Sequence, residues 1–261
     1  MHRSRGYVNA QYLKVAADLF APIKNRGHEI MGIKEGHSVL DVGCGPGIDA
    51  MALTRLVSPH GKVFGLDHDA EMIDMARKSA AEAGLADRLE FHTGDAASLP
   101  FRDGFFDSCR AERLFMHLPD ADRVLVEIIR VLKPGGRIVV TETDWASVSC
   151  DSDETDTERK LARFRAEQIL SNGYSGRRLF GQFRAQRLTD INVEIFPLHT
   201  TDMDLFRFLT LQSTVDQQAL AAGAITEETL NAWRVGLEQR KQDDSFFGSV
   251  NIIMVAGRKA L

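Results

Sequence analysis

The residues best suited to chemistry stand where three short apolar runs end. Val39-Leu40-Asp41-Val42-Gly43-Cys44-Gly45-Pro46-Gly47 passes from such a run into a glycine-rich turn and then into a helical pattern. Glycines let the backbone come close to a ligand, and the first turn of the following helix favours its polar or anionic end. A second run, residues 62–66, ends in Asp67, where a carboxylate can accept both hydroxyls of a ribose. A third ends in His92-Thr93-Gly94-Asp95-Ala96: Asp95 is placed to accept from an adenine amino group, and the Ala96 backbone to meet the ring nitrogen. Three ligand-facing groups at three successive run ends are hard to obtain by chance.

Each residue also has a plainer reading. Gly43, Gly45 and Gly47 could merely permit tight strand-to-helix packing, Asp67 could cap a helix, and Met72 could be core. Cys44, inside the turn, satisfies a need for a small side chain. Capping alone does not explain acids at two run ends beside a glycine turn.

Something must hold these ends side by side. From Ser38 the chain alternates short β-branched runs with helical patterns, the rhythm of a parallel sheet in an α/β fold with helices on both faces. Strands are expected at 38–42, 62–66, 89–93, 106–109 and 137–142, and helices at 47–56, 70–83 and 120–132. Residues 9–31 carry Tyr12, Val15, Ala16, Leu19 and Ile23 at helical spacing, one or two helices that could form a lid. After the fifth strand the rhythm breaks. Residues 151–157 are acidic and polar, and 158–171 form a helical run with Leu161, Phe164 and Ile169, an inserted helical cover. The last third supplies strands at 191–197 and 246–257 around helices at 202–222 and 226–241. The expected division is an N-terminal helical segment 1–36, a core 37–146, a cover 147–188 and a C-terminal part 189–261.

Composition bounds the rest. With 261 residues, 44% hydrophobic and 26% charged, the chain suits one large globular domain or a domain with a lid. A net charge of -5 argues against a long phosphate-tracking surface. Neither an apolar leader nor a run approaching the roughly 18 apolar residues of a membrane span is visible, so the expectation is cytoplasmic. Cys44, Cys109 and Cys150 show no paired spacing, and no His/Asp/Glu cluster suggests a metal.

The chain resembles the class I S-adenosylmethionine (SAM)-dependent methyltransferases, particularly the ubiquinone/menaquinone C-methyltransferase-like (type 11) branch. The resemblance covers about residues 12–144. It rests on Val39 through Gly47, on Gly65-Leu66-Asp67-His68-Asp69 with Met72, on Gly94-Asp95-Ala96, on Phe106-Asp107, and on Leu132-Lys133-Pro134-Gly135-Gly136. It implies a Rossmann-like seven-stranded, mostly parallel sheet whose two late strands form an antiparallel hairpin. It also implies SAM as cofactor and S-adenosylhomocysteine as product. Gly43 and Gly45, with Cys44, would line the methionine end and Asp41 would support the turn. Asp67 would hold the ribose, His68 and Met72 would pack on the adenine, and Asp95 and Ala96, with Gly94, would read its edge.

Methyl transfer from a sulfonium is an in-line displacement in which positioning supplies much of the acceleration. Arg110 through Asp120 follows the fourth strand, at the edge where open α/β sheets bind ligands. His117 there is the candidate general base or acceptor orienter, or else it bonds a turn. Glu112 and Arg113 could pair with each other, or Arg113 could meet a carboxylate of SAM or substrate. Asp144 and Trp145 place an acid and an indole at the rim, the indole stacking on an acceptor or closing the core. Tyr12 joins Glu112, Asp144 and Trp145 as a substrate-contact candidate. Phe206, Phe208, Phe246 and Phe247 could supply aromatic walls but read first as core, and Arg177-Arg178 as a solvated face or an anion contact.

The expected partner is a small molecule, not nucleic acid or membrane, for a monomer or homodimer. Rivals are a non-catalytic SAM-binding protein, an RNA methyltransferase and an NAD-dependent oxidoreductase. Against the last, Ile48 stands where a dinucleotide turn needs its third glycine, and no Tyr-x-x-x-Lys pair follows.

Overall fold

Val39, Leu40 and Val42 have no solvent exposure, as befits a strand covered on both faces. They form β1 (Ser38–Val42) in the computed structural model of the chain, which describes residues 10–261. Parallel partners flank it: β2 (Lys62–Asp67) on one side and β4 (Phe106–Glu112) on the other. Outside β2 lies β3 (Leu89–Thr93), and outside β4 lies β5 (Leu132–Cys150), both parallel. With β6 (Thr189–Thr200) and β7 (Gly248–Arg258) the order is β3-β2-β1-β4-β5-β7-β6. Strand β7 runs against β5, since Gly135 N donates to Lys259 O at 2.9 Å near one end and the Ser149 and Ser249 hydroxyls meet at 3.1 Å near the other. It runs against β6 as well: Thr189, which opens β6, bonds the carbonyl of Arg258 at the close of β7. The sheet is therefore seven-stranded, mixed and mostly parallel, as the resemblance implied.

The helices are α1 (Ala10–Met31), α2 (Ile48–Val57), α3 (Ala70–Glu82), α4 (Ala121–Val131), α5 (Thr155–Phe164), α6 (Ser175–Ala185), α7 (Met203–Leu209), α8 (Gln212–Ala221) and α9 (Glu227–Gln242). The expected helix over 9–31 is the single α1, with Pro22 inside it; residues 1–9, part of the expected N-terminal segment, lie outside the described residues. No helix among the described residues is long and apolar enough to cross a membrane.

Two compact units emerge. A sheet unit comprises Ile23–Glu142, Arg178–Glu194 and Met254–Leu261; a helical unit comprises the described residues up to Pro22, Thr143–Arg177 and Ile195–Ile253. The helical unit has its own apolar core, in which Val148, Leu161, Phe206, Trp233, Leu237 and Phe246 are buried.

Several boundaries differ from the sequence expectation, each for a local reason. Strand β5 runs on to Cys150 although its later residues are polar, because β7 supplies partners: Asn251 N donates to Ser147 Oγ at 2.9 Å and Asp151 N to Phe247 O at 2.9 Å. The helix expected over 202–222 is two helices, broken at Leu211, which sits at φ 50. Before that break the Thr210 hydroxyl donates back to Phe206 O at 2.7 Å, a bond that competes with helix propagation. The helix expected over 158–171 ends at Phe164 and passes into a π turn, Arg165–Ile169, closed by Leu170 N on Arg165 O.

Candidate active site

The glycine turn is stitched to the end of β2. Gly43 N and Cys44 N both donate to Leu66 O, at 2.7 and 3.1 Å, and Gly45 N donates to Asp67 Oδ2 at 2.9 Å. The other oxygen of Asp67 accepts from Asp69 N at 3.0 Å and lies 3.1 Å from His68 Nδ1. A carboxylate has about four acceptor directions, so capacity remains on Asp67, whose side chain is 12% exposed. The cap of α3 is Asp69, which accepts from Glu71 N and Met72 N. Asp67 is thus not needed as that cap.

Two glycines of the turn serve different ends. At Gly47, φ 77, an added Cβ would stand 2.8 Å from Phe91 Cζ and 2.9 Å from Ala76 Cβ, so this glycine permits close packing. At Gly45, φ 51, the same atom would meet nothing within 4 Å. The backbone there borders open space, as a ligand cradle requires. Cys44 is buried, its Sγ 2.8 Å from where a Cβ on Gly65 would sit, and burial pushes its thiol far up, which leaves it unreactive.

At the end of β3, Gly94 N donates to Asp67 O at 2.9 Å, which brings the second and third strand ends together. Asp95 is exposed and one of its oxygens accepts from Ala97 N at 2.8 Å; Ala96 is buried and Met72 half-buried on α3.

Beneath the turn lies a buried ionic cluster that sequence reasoning did not assemble. Arg110 is 5% exposed and Asp41 3%. The Arg110 guanidinium stands 2.5 Å from Glu112 Oε2, 3.2 Å from Asp49 Oδ2 and 3.7 Å from Asp41 Oδ1. Lys24 Nζ bridges Asp49 at 2.8 Å and Glu112 at 3.5 Å, and Arg113 Nε is 3.9 Å from Glu112 Oε1. Burial raises the Asp41 carboxyl above the usual range against the pull of Arg110, with Asp49 and Glu112 adding to the rise. Asp49, although burial opposes its charge, is held below that range by Arg110 and Lys24. Asp41 and Glu112 therefore serve inside a charge lattice that fixes the floor of the turn.

His117 closes a short 3-10 turn, Phe115–His117, whose position is set by a side chain the sequence reading did not single out. Glu142 on β5 has no exposure; its Oε1 accepts from Phe115 N at 2.6 Å and its Oε2 from Met116 N at 3.2 Å. Arg113, just before the turn, is held at φ 51, a left-handed backbone unusual for a residue with a Cβ. Burial lowers the His117 pKa from its ordinary value, and the nearby charges of Arg113 and His68 lower it further. Near neutral pH the imidazole is uncharged and able to take a proton.

Tyr12, Asp144 and Trp145 belong to the helical unit. Tyr12 is buried, its hydroxyl donating to Leu209 O at 3.1 Å and its ring 5.5 Å from that of Phe208. Asp144 accepts from Arg177 through Nε and Nη2, at 3.0 and 2.8 Å, so Arg177 is an anion contact within the chain. The Trp145 ring lies under Arg165, 5.7 Å from its Cζ. Phe206 and Phe246 are core as expected, whereas Phe247 is 47% exposed.

With this geometry in place, the chain can be set beside known proteins. A family model described as a methyltransferase domain matches residues 33–192. An uncharacterized 37.1 kDa protein in transposon TN4556 of Streptomyces fradiae is 38% identical over 151 residues, which is 58% of this chain and 43% of the relative. The demethylmenaquinone methyltransferase of Lactobacillus johnsonii is 40% identical over 42% of this chain and 46% of its own length. The matches thus span less than half the length of these curated relatives. Among solved structures, the YcgJ protein of Bacillus subtilis superposes with a TM-score of 0.66 at 21% identity, covering 92% of this chain and 99% of that one, a likeness of fold. The match over most of the chain, together with the strand order and the glycine turn, settles the family: this chain belongs to the class I methyltransferases, whose cofactor is SAM.

Proposed function

We propose that the protein transfers a methyl group from SAM to a small-molecule acceptor by in-line displacement, with positioning as the main catalytic effect. One observation carries this reading: Asp67 retains acceptor capacity at the end of β2 beside a glycine, Gly45, that borders open space. Bound SAM supplies an activated methyl on sulfur. Asp67 takes the ribose hydroxyls, Asp95 and Ala96 read the adenine edge with Gly94, and His68 and Met72 pack against the ring. Gly43, Cys44 and Gly45 offer backbone to the methionine end, and Arg113 offers its charge to the carboxylate there. Asp41 supports the turn through the Arg110 cluster. A small acceptor is supported by the likeness to a demethylmenaquinone methyltransferase.

Uncharged His117 accepts the acceptor's proton where the acceptor arrives protonated. Within the helical unit, Tyr12 and Trp145 are candidates for contact with the acceptor. Asp144 acts by fixing Arg177, and Glu112 by fixing Arg110.

Titration calorimetry with SAM, S-adenosylhomocysteine and NADH tests the reading. Binding of the two sulfur nucleotides without NADH supports it, and binding of NADH alone overturns it. Transfer of labelled methyl to a panel of phenols, quinols and carboxylic acids then identifies the acceptor. With that acceptor, His117→Ala is expected to keep SAM affinity while turnover falls by roughly 10²- to 10⁴-fold. Full turnover in the variant would return His117 to a turn-forming role.

A further inference from the structure

Arg165 opens the π turn that follows α5 and is 3% exposed. A side chain so buried ordinarily finds a carboxylate. Arg165 instead makes its protein hydrogen bond through Nη2 alone among the described residues, donating to Gln212 Oε1 at 2.6 Å. Its Nε is enclosed with no acceptor at all. Gln212 Nε2 passes the contact on to Asp216 Oδ1 at 2.7 Å, but Asp216 is committed elsewhere. Its Oδ2 accepts from Arg234 Nε at 3.1 Å and Nη2 at 2.9 Å, with Arg207 Nη2 at 3.7 Å. One fully buried carboxylate therefore stands against three guanidinium groups. The nearby Glu158 is paired with Arg159.

Burial pulls the Arg165 pKa down to about 10, with Asp216 the strongest opposing influence, so the group remains a cation at neutral pH. It lies over the Trp145 ring, its Cζ 5.7 Å from the ring centre, a cation–π contact. A rigid fork with an idle Nε–H suits a planar, two-oxygen acceptor. A phosphate or diphosphate would draw on several uncommitted cations, and the neighbouring arginines already have carboxylates: Arg234 and Arg207 share Asp216, and Arg177 holds Asp144.

We propose that Arg165 recognises the carboxylate of a small organic acid bound within the helical unit. This carboxylate site stands on the helical unit's own geometry and is independent of the methyltransferase reading. Gln212 and Trp145 are positioning residues that orient the guanidinium.

The test uses benzoate as probe, with benzamide and inorganic phosphate as controls, on the full-length protein. In ¹H–¹⁵N spectra of arginine side chains, the Nε–H signal that Arg165→Lys removes is expected to shift on adding benzoate and to stay in place with benzamide or phosphate. By calorimetry, Arg165→Met should weaken benzoate binding by roughly 10- to 100-fold, the value of a charge-assisted bond, with SAM affinity unchanged. An Nε–H signal unmoved by benzoate, equal benzoate affinity in wild type and Arg165→Met, or a preference for phosphate or benzamide would each overturn the assignment. The spectra need only the wild-type fold, so they decide the matter even if Arg165→Met does not fold. A parallel SAM titration separates the two readings. A protein that binds benzoate through Arg165 but fails to bind SAM loses the methyltransferase reading and keeps the carboxylate site.

Discussion

Each unit gathers charges around a buried centre, Arg110 in one and Asp216 in the other, and the two clusters are composed in opposite ways. In the sheet unit, three carboxylates (Asp41, Asp49 and Glu112) surround Arg110 and Lys24, and each lies within 4 Å of a cation. In the helical unit, Asp216 faces Arg165, Arg207 and Arg234, and Arg165 reaches it only through an amide. Direct, reciprocal pairing makes a scaffold, with Arg110 at its centre and Lys24 a second cation to Asp49 and Glu112. A cluster left in excess of one sign has work still to do, and a ligand of the other sign completes it.

The sharpest way to break this contrast is to remove each central arginine in turn. Arg110→Met takes the cation from buried Asp41 and leaves Asp49 and Glu112 to Lys24 and Arg113, and should cost about 3–5 kcal/mol in urea unfolding, the usual consequence of orphaning a buried ion partner. A loss under about 1 kcal/mol would mean that the sheet-unit cluster is not a scaffold. Within the same unit, Asp67→Ala leaves the cluster intact and should weaken SAM binding by about 1.5–3 kcal/mol in calorimetry, or roughly 10- to 150-fold. Unchanged affinity would remove Asp67 from the ribose.

A smaller effect should appear at His28, whose Nε2 is enclosed without an acceptor. Burial, then the charges of Arg110 and Lys24, push its pKa down to about 4 against the pull of Asp49. The unfolded chain, with histidine near 6.5, therefore takes up a proton that the folded chain refuses between about pH 6.5 and 4. Stability contributed by neutral His28 is present above that window and is lost as pH falls through it. His28→Gln should narrow the difference in stability between pH 7 and pH 5 by on the order of 1 kcal/mol, a figure reduced for solvent screening at a half-buried group. Parallel pH curves for the two proteins would contradict this. Least of all should follow from Arg165→Met, which replaces an under-compensated cation with an apolar side chain of similar length. Unfolding free energy is expected to stay within about 1 kcal/mol of wild type. A loss as large as that of Arg110→Met would make the two clusters alike.

Much of the sheet was legible because apolar runs in a buried parallel sheet need no partner to be recognised. The limits of β1 and β3 fall where the residue pattern places them, at 38–42 and 89–93. Strand β5 was harder, because residues 143–150 look like a polar loop until β7, about a hundred positions later, is known to pair with them. The strand ends bearing Gly45, Asp67 and Asp95 could be found from spacing. Arg110, Lys24 and Asp49 could not be joined, because apolar periodicity ignores charges and their partners come from three separate elements. A cation inside the otherwise buried pattern of β4 was the one available signal. Arg165 lies off the apolar spacing of Leu161, Phe164 and Ile169 in the 158–171 run, so nothing in the pattern marks it as the 3% exposed residue that it is in the fold.

Glu142 has a bearing on time as well as place. Loop turns usually open and close independently of the sheet they leave. The turn that ends in His117 has two of its amides, Phe115 and Met116, fastened to a side chain rooted in a core strand. Its amide protons should therefore exchange with water about as slowly as those of β5, and the imidazole that follows keeps its place for as long as the sheet holds together.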